Sequence, residues 1–396
     1  MRPLLVLLLS VGLTSSTFAA SKVSVEQLDQ MLAVNQGKPD AEVAHQLAGV
    51  ELTECLSSVR LQQLQKEFPG AATQGALMQL ADLSAFLPLP ASEVARDPTP
   101  DASSLRQMLD KLAAYVNLTV RQLPNFTATR TTTGFEDSPA VDVLGQTGVT
   151  SYSYLPMHLE GSSSVRVLYH DRREELDPAY KKDHKHEAKI QGLRTSGEFG
   201  PILSLILADA LAGRITWGQW ERNSAGNRAV FHFAVPDGKS HYTVQFCCTT
   251  DLRGESHIYS QTPPYHGEIV FDPATGTIFR IVAEADLLTG DLVSQAGILV
   301  EYGPLEIGAK TVVVASKSVS ILRADTAPQA ASSNSATSHR GTPKTFLNDV
   351  AFSQYHEFRA EAHIVTDPDQ GLYSPFAPVP ADSPGGNPSR TASHLQ

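Results

Sequence analysis

The chain has 396 residues, of which 41% are hydrophobic and 18% are charged, and its formal net charge is −11. A chain of this length can bury a large core, and the length predicts more than one structural unit. The acidic balance argues against a nucleic-acid partner, because nucleic-acid binding needs a basic surface.

The first twenty residues have the pattern of a secretion signal. Arg2 precedes a short apolar run from Leu4 to Leu13, and small residues follow at Ala19 and Ala20. The run is too short for a resident transmembrane helix, and no later stretch is apolar enough to span a bilayer. We predict a signal peptide at residues 1–20, export to the periplasm or extracellular space, and no integral membrane span after cleavage.

Residues 21–100 are predicted to form a helical region. Ser24 and Gln27 have the spacing of a capping box, and apolar residues recur at helical intervals as far as Leu87. Prolines between Pro88 and Pro100 then predict a stiff connector. Short coupled helices can dock a partner, so an envelope protein partner is expected to bind through residues 21–100.

The most regular predicted helix follows this connector. Ser103 or Ser104 is a suitable N-cap, and an apolar stripe runs from Leu105 to Val116. A helix with one apolar side must lie on another element, and we expect that element to be the sheet that follows it.

Strand patterns then dominate from Phe126 to Val365, with one predicted helix at Pro201–Ala212. Gly238, Gly276 and Gly308 lie in short connections, as hairpins require. No helix-length segment separates the later strands, which predicts antiparallel pairing. Loops at residues 171–192 and 324–344 are expected to be mobile, and the tail at residues 367–396 to be disordered, because each lacks a continuous apolar pattern.

These patterns predict an α+β fold. Its main domain, residues 101–366, is a large curved antiparallel sheet resembling half a barrel, covered by amphipathic helices. The N-terminal helical region precedes this domain, and the disordered tail follows it.

Few residues carry a catalytic pattern. Gly254 to Ile258 starts like a nucleophile elbow around Ser256, but the second glycine is missing and the segment is predicted to be a loop. His184 and His186 alternate within a lysine-rich stretch, which favours a solvated loop over a metal site. We therefore expect no catalytic residue, no metal and no cofactor.

The odd number of cysteines leaves their pairing open. Cys55, Cys247 and Cys248 allow one disulfide between Cys55 and either member of the adjacent pair. Free buried thiols are the favoured alternative.

Several strands have apolar residues on both faces, which indicates a sheet that is covered on both sides. Helices can cover one face of the sheet. The other face is covered by a bound apolar ligand, by a second sheet layer, or by ordinary hydrophobic core. Trp217 and Trp220 are predicted to lie on opposite faces of one strand. The residues predicted to face an apolar ligand are Trp217, Phe231, Phe233, Phe246, Phe271, Phe279 and Ile281.

Three segments carry a family resemblance: Gly267–Arg280, Val300–Lys310 and Phe352–Ala360. They are similar to segments of an uncharacterised family of secreted bacterial proteins. More distantly, the strand order of residues 126–365 resembles that of the outer-membrane lipoprotein-sorting (carrier) superfamily. That resemblance implies an incomplete barrel whose helices close a hydrophobic cavity for acyl chains.

The leading functional hypothesis is an exported, non-enzymatic binder of an apolar ligand, with a lipid or acyl chain as the expected partner. The alternative is a structural or interaction module of the cell envelope without a small-molecule ligand. A secreted hydrolase, supported only by Ser256 and His257, ranks third.

Overall fold

The computed structural model describes residues 21–142, 151–177, 195, 198–223, 226–250, 256–288, 292–308, 310–325 and 343–358. The predicted signal peptide and tail lie outside these residues, as does most of both predicted loops. Contacts divide the chain into two units, Met1–Phe358 and Arg359–Gln396. Every element described below belongs to the first unit.

The N-terminal region is helical, as its periodicity predicts. Its elements are β1 (Ser21–Val23), α1 (Val25–Val34), α2 (Asp40–Leu47), β2 (Val50–Leu52), α3 (Ser58–Glu67), α4 (Ala71–Leu83) and β3 (Val94–Ala95). The capping box is confirmed, with Ser24 Oγ accepting from the Gln27 amide at 3.2 Å. Buried leucines such as Leu28, Leu47 and Leu77 hold the helices together.

The rest of the first unit is built from two helices and twelve strands in the part of the chain that the structure describes. The elements are α5 (Ala102–Gln122), β4 (Phe126–Asp142), β5 (Ser151–His170), β6 (Arg173–Leu176), α6 (Pro201–Ala212), β7 (Arg214–Glu221), β8 (Arg228–Val235), β9 (Val244–Thr250), β10 (Ser256–Gln261), β11 (Tyr265–Phe271), β12 (Ile278–Ala285), β13 (Val293–Ile307), β14 (Lys310–Asp325) and β15 (Pro343–Glu357).

Eleven strands of the described residues form one open antiparallel sheet in the order β3-β7-β8-β11-β12-β13-β14-β15-β4-β5-β6. Strands β9 and β10 pair separately as a hairpin, and β1 pairs with β2 in parallel. The predicted α+β class with a large antiparallel sheet is confirmed.

Helices α5 and α6 cover one face of the sheet, here called the inner face. Leu112 and Val116 of α5 and Ile206 of α6 are buried in the same cluster as Phe231 and Ile281 of the sheet. The predicted docking of the amphipathic helix on the sheet is thus confirmed. Its N-cap is Asp101, rather than Ser103 or Ser104, because the Asp101 carboxylate accepts both serine amides.

The N-terminal region covers part of the opposite face, here called the outer face. Leu83 and Phe86 pack against a cluster that includes Val282, Leu299 and Leu347. Protein elements therefore account for apolar residues on both faces of the central strands.

Some strand predictions were wrong in position or length. The sequence pattern predicts two strands at Gly148–Leu155 and Ser164–His170, whereas β5 is continuous over Ser151–His170. Strand β10 was not predicted. Strand β6 lies within the stretch expected to be a mobile loop, because it pairs with β5 through its backbone and needs no apolar face. Among the described residues, no helix has the length and apolar character needed to cross a membrane.

Candidate functional site

Helices α5 and α6 pack on the inner face of the sheet, where the sequence predicts a bound ligand. The side chains of Phe231, Phe233, Phe271 and Ile281 are at most 3% exposed and pack in the cluster formed with α5 and α6. Trp217 lies beside them, with its ring centroid 6.2 Å from that of Phe231. The structure brings these five predicted residues together as core.

The other two predicted residues lie elsewhere. Phe246 packs in a separate cluster, with its ring centroid 5.7 Å from that of Phe346. The guanidinium carbon of Arg228 lies 4.1 Å from the centroid of the Phe279 ring. A single ligand face formed by all seven residues is therefore not what the fold produces.

The prediction that Trp217 and Trp220 lie on opposite faces was wrong. The pairing of β7 with β8 shifts register between Trp217 and Gln219. This bulge adds a residue and places both indoles against the inner core, with ring centroids 4.8 Å apart.

One cavity, of about 650 Å³, lies between the C-terminal half of α5 and the start of β14. Further cavities occur on the outer face. The segment Ser84–Pro88, which follows α4, crosses this face. The space on its two sides is here called the cleft. Three cavities of about 500, 330 and 280 Å³ lie along the cleft. Their walls come from the N-terminal region on one side and from the sheet on the other.

The largest of the three, here called the apolar cavity, has mainly aliphatic walls. Leu47, Leu52 and Leu80 come from the helical region, and Met157 comes from β5. The Gln79 amide donates to the Met157 carbonyl at 2.7 Å, which holds α4 against the sheet at this cavity.

Polar groups line the apolar cavity on both sides, and Glu51, Gln79 and Ser84 are those of the helical region. Gln295, Arg323 and Thr345 line it from the sheet, together with Asp137. The Asp137 carboxylate accepts the Thr345 backbone N–H, so it is already engaged. Arg323 is exposed, and its guanidinium forms no ion pair within the described residues.

The smallest cavity, of about 280 Å³, borders an ionic group, here called the acid–lysine cluster: Asp82 of α4, Lys317 of β14 and Asp349 of β15. Lys317 Nζ lies 2.5 Å from Asp82 Oδ1 and 3.6 Å from Asp349 Oδ1. Both carboxyl groups are buried, and burial raises both of their pKa values.

A second ionic group lies at the middle cavity. Arg280 donates to Glu221 at 2.7 Å and to Glu268 at 3.1 Å. Burial alone would lower the pKa of Arg280, but the Glu221 and Glu268 carboxylates raise it overall. The cation is therefore paired and fixes the sheet side of the cleft.

Among the reactive groups that the sequence offered, Cys55 is the one whose side chain lies within the described residues. Cys55 is a free thiol in the cleft, and burial raises its pKa to about 12, which suppresses the nucleophilic thiolate. Ser256 and His257 belong to strand β10 rather than to the predicted loop. His184 and His186 lie outside the described residues. No group of three or more His, Cys, Asp or Glu side chains within the described ranges is arranged to hold a metal ion.

Sequence reasoning missed the cleft because its walls come from distant segments. One local signal was available: Asp82 interrupts the apolar run of α4, and Lys317 stands between the apolar residues of β14. Charged residues at such positions indicate a buried polar contact. Their partners cannot be identified without the tertiary structure.

Comparison of the chain with protein-family models, with curated proteins and with solved structures finds no match.

Proposed function

We propose that the protein binds an anionic amphiphile, an acyl chain with an acidic head group, in the apolar cavity. The observation that carries the proposal is a cavity with mainly aliphatic walls, bordered by an arginine that forms no ion pair with any of the described residues. Its volume of about 500 Å³ is typical of small-molecule sites, which combine apolar walls with a few polar groups.

The aliphatic walls favour a chain rather than a flat ring system. Leu47, Leu80 and Met157 offer methyl and methylene surface from three separate elements. Burying each methylene of a ligand there contributes about 0.8 kcal/mol before the costs of association. A neutral alkyl chain of moderate length would therefore bind weakly by itself.

Arg323 supports the choice of an acidic head. Its guanidinium has no acidic partner in the part of the chain that the structure describes, and a guanidinium donates paired hydrogen bonds to a carboxylate or a phosphate. Gln295 lies opposite it in the register of β13 and β14, and adds a neutral hydrogen-bonding group to the same side of the cavity.

Export is part of the proposal. Arg2 and the apolar run that follows it support a secretion signal, which would bring the protein to the compartment where envelope lipids are released. The resemblance of the predicted strand order to that of acyl-chain carriers supports the same ligand class. The proposed site nevertheless differs from the inner face that this likeness implies.

The test is a calorimetric titration of the purified chain with dodecanoate, with dodecanol and with a dodecanoyl lysophospholipid whose only charged group is its phosphate. We expect the two anionic ligands to bind more tightly than the alcohol. Arg323→Gln should weaken anionic binding about tenfold or more, because a hydrogen bond to a charged group contributes roughly 1.5–3 kcal/mol.

Arg106→Gln is the matched control, since Arg106 is an exposed arginine on α5, which covers the inner face. It should leave all three affinities unchanged. Preference for one anion identifies a fatty acid or a phospholipid as the ligand. Equal affinity for the alcohol and the anions would reject the proposal. Absence of binding by all three ligands would also reject it, and would favour a protein-interaction module of the cell envelope.

A further inference from the structure

We propose that the acid–lysine cluster takes up one proton as α4 docks on the sheet, so that acidification tightens the helical cover over the apolar cavity. The link to the ligand rests on the proposed function. The coupling between proton uptake and the docking of α4 depends only on the residues of the acid–lysine cluster.

The geometry of the cluster leaves one negative charge without compensation. Two carboxyl groups, Asp82 and Asp349, face the single ammonium group of Lys317. Asp82 is 1% exposed and Asp349 is 5% exposed, so water does little to screen the excess charge. Burying an unpaired charge is costly, and one added proton removes it.

The hydrogen bonds within the cluster lead to the same conclusion. Asp82 Oδ2 and Asp349 Oδ1 are buried without a hydrogen-bond partner among the described residues. Two ionised carboxylates can only accept hydrogen bonds, so neither can satisfy the other. A proton on Asp82 supplies the missing donor, and a proton shared between paired carboxyls is the usual outcome of such an arrangement.

The pKa values agree with this geometry. Burial, and then the charge of Asp349, raises the pKa of Asp82 to about 7, although Lys317 opposes the shift. Burial also raises the pKa of Asp349. When α4 is undocked, the Asp82 carboxyl is exposed to water and loses both causes of the shift.

The sign of the pH dependence follows from this difference. A carboxyl with a higher pKa in the docked state binds its proton more tightly there, so docking takes up a proton. Docking therefore strengthens as pH falls through about 7, and it changes little above about pH 8. Between pH 8 and pH 6 the expected change in the docking equilibrium is about tenfold.

Other charged groups near the cluster do not supply this step. Glu301 of β13 and Arg280 of β12 line the same cavity, and Arg280 is held by its own carboxylates. Cys55 stays protonated at neutral pH. Among the described residues that line the cleft, histidines occur only at the neighbouring cavity, where His232 lies 3.9 Å from Glu268 and His266 lies 2.6 Å from Asp286.

Helix α4 connects the cluster to the apolar cavity. Asp82 contacts Lys317, whereas Gln79, Leu80 and Leu83 of the same helix line the apolar cavity. Loosening the Asp82 contact therefore loosens a wall of the ligand site.

The experiment is hydrogen–deuterium exchange of the full chain without ligand at pH 8 and pH 6, expressed as protection factors. In the wild type, protection of the α4 amides from Leu77 to Leu83 should rise about tenfold at the lower pH. Asp82→Asn and Asp349→Asn each leave one carboxylate for Lys317, so both variants should lose this rise. The α5 amides are the internal control.

His266→Gln is the control at the neighbouring cavity and should retain the rise. Equal α4 protection at both pH values in the wild type would overturn the proposal, as would a rise that survives in both asparagine variants. Since no ligand is present, the result does not depend on the ligand titration. Failure of the amphiphiles to bind would remove the proposed function and leave the proton coupling intact.

Discussion

A single methyl group added to the turn between β11 and β12 should measure how closely α5 lies on the sheet. Gly276 has a φ of +78°, which favours glycine. A Cβ atom at this position would overlap the backbone carbonyl of Lys111 in α5. Gly238 has nearly the same φ, +77°, but a Cβ atom there has no neighbour within 4 Å.

The two glycines therefore separate backbone strain from packing. Gly238→Ala should lower the free energy of unfolding by about 1–2 kcal/mol, the cost of a left-handed residue with a side chain. Gly276→Ala carries the same cost and also forces α5 from the turn, which adds about 1–3 kcal/mol. We expect Gly276→Ala to be the more damaging change by that margin.

Urea unfolding followed by tryptophan fluorescence measures both free energies. The free energy of unfolding should fall with urea concentration at the same slope in both variants, since the surface exposed on unfolding is unchanged. Equal destabilisation by the two substitutions would refute the close contact between the turn and α5.

Three further predictions concern buried polar groups. Lys317→Met leaves both carboxyl groups of the acid–lysine cluster without a cation and should cost about 3–5 kcal/mol at pH 8. The loss should be smaller at pH 5, where Asp82, with its pKa raised to about 7, is protonated. Urea unfolding at both pH values tests this. Asp209→Ala removes the acceptor for Tyr265 OH and for the His241 amide, and should lower the free energy of unfolding by about 2–4 kcal/mol. His241→Ala changes an exposed side chain and should lower it by under about 1 kcal/mol. Thermal unfolding of both variants distinguishes these outcomes. Because its pKa is raised to about 12, Cys55 should resist alkylation at pH 8 until the chain is unfolded, and rapid native labelling of its peptide in mass spectrometry would contradict this.

Local patterns determined the elements that depend on nearby residues. The capping box at Ser24, the apolar stripe of α5 and the glycine at position 276 each specify their conformation within a few residues. Alternation of apolar residues likewise indicated an antiparallel sheet covered on both sides. Periodicity reports which residues avoid water, so it sufficed for the class of the fold.

Periodicity does not report what covers each face, and only the tertiary structure decided that. Phe231 and Phe271 have the pattern expected for ligand contacts and for core alike, and α5 and α6 make them core. The cleft depends on contacts between α4 and strands more than two hundred residues away, such as that between Asp82 and Lys317. A charge in an apolar run shows that a partner is needed, whereas the identity of that partner depends on the chain's path through space.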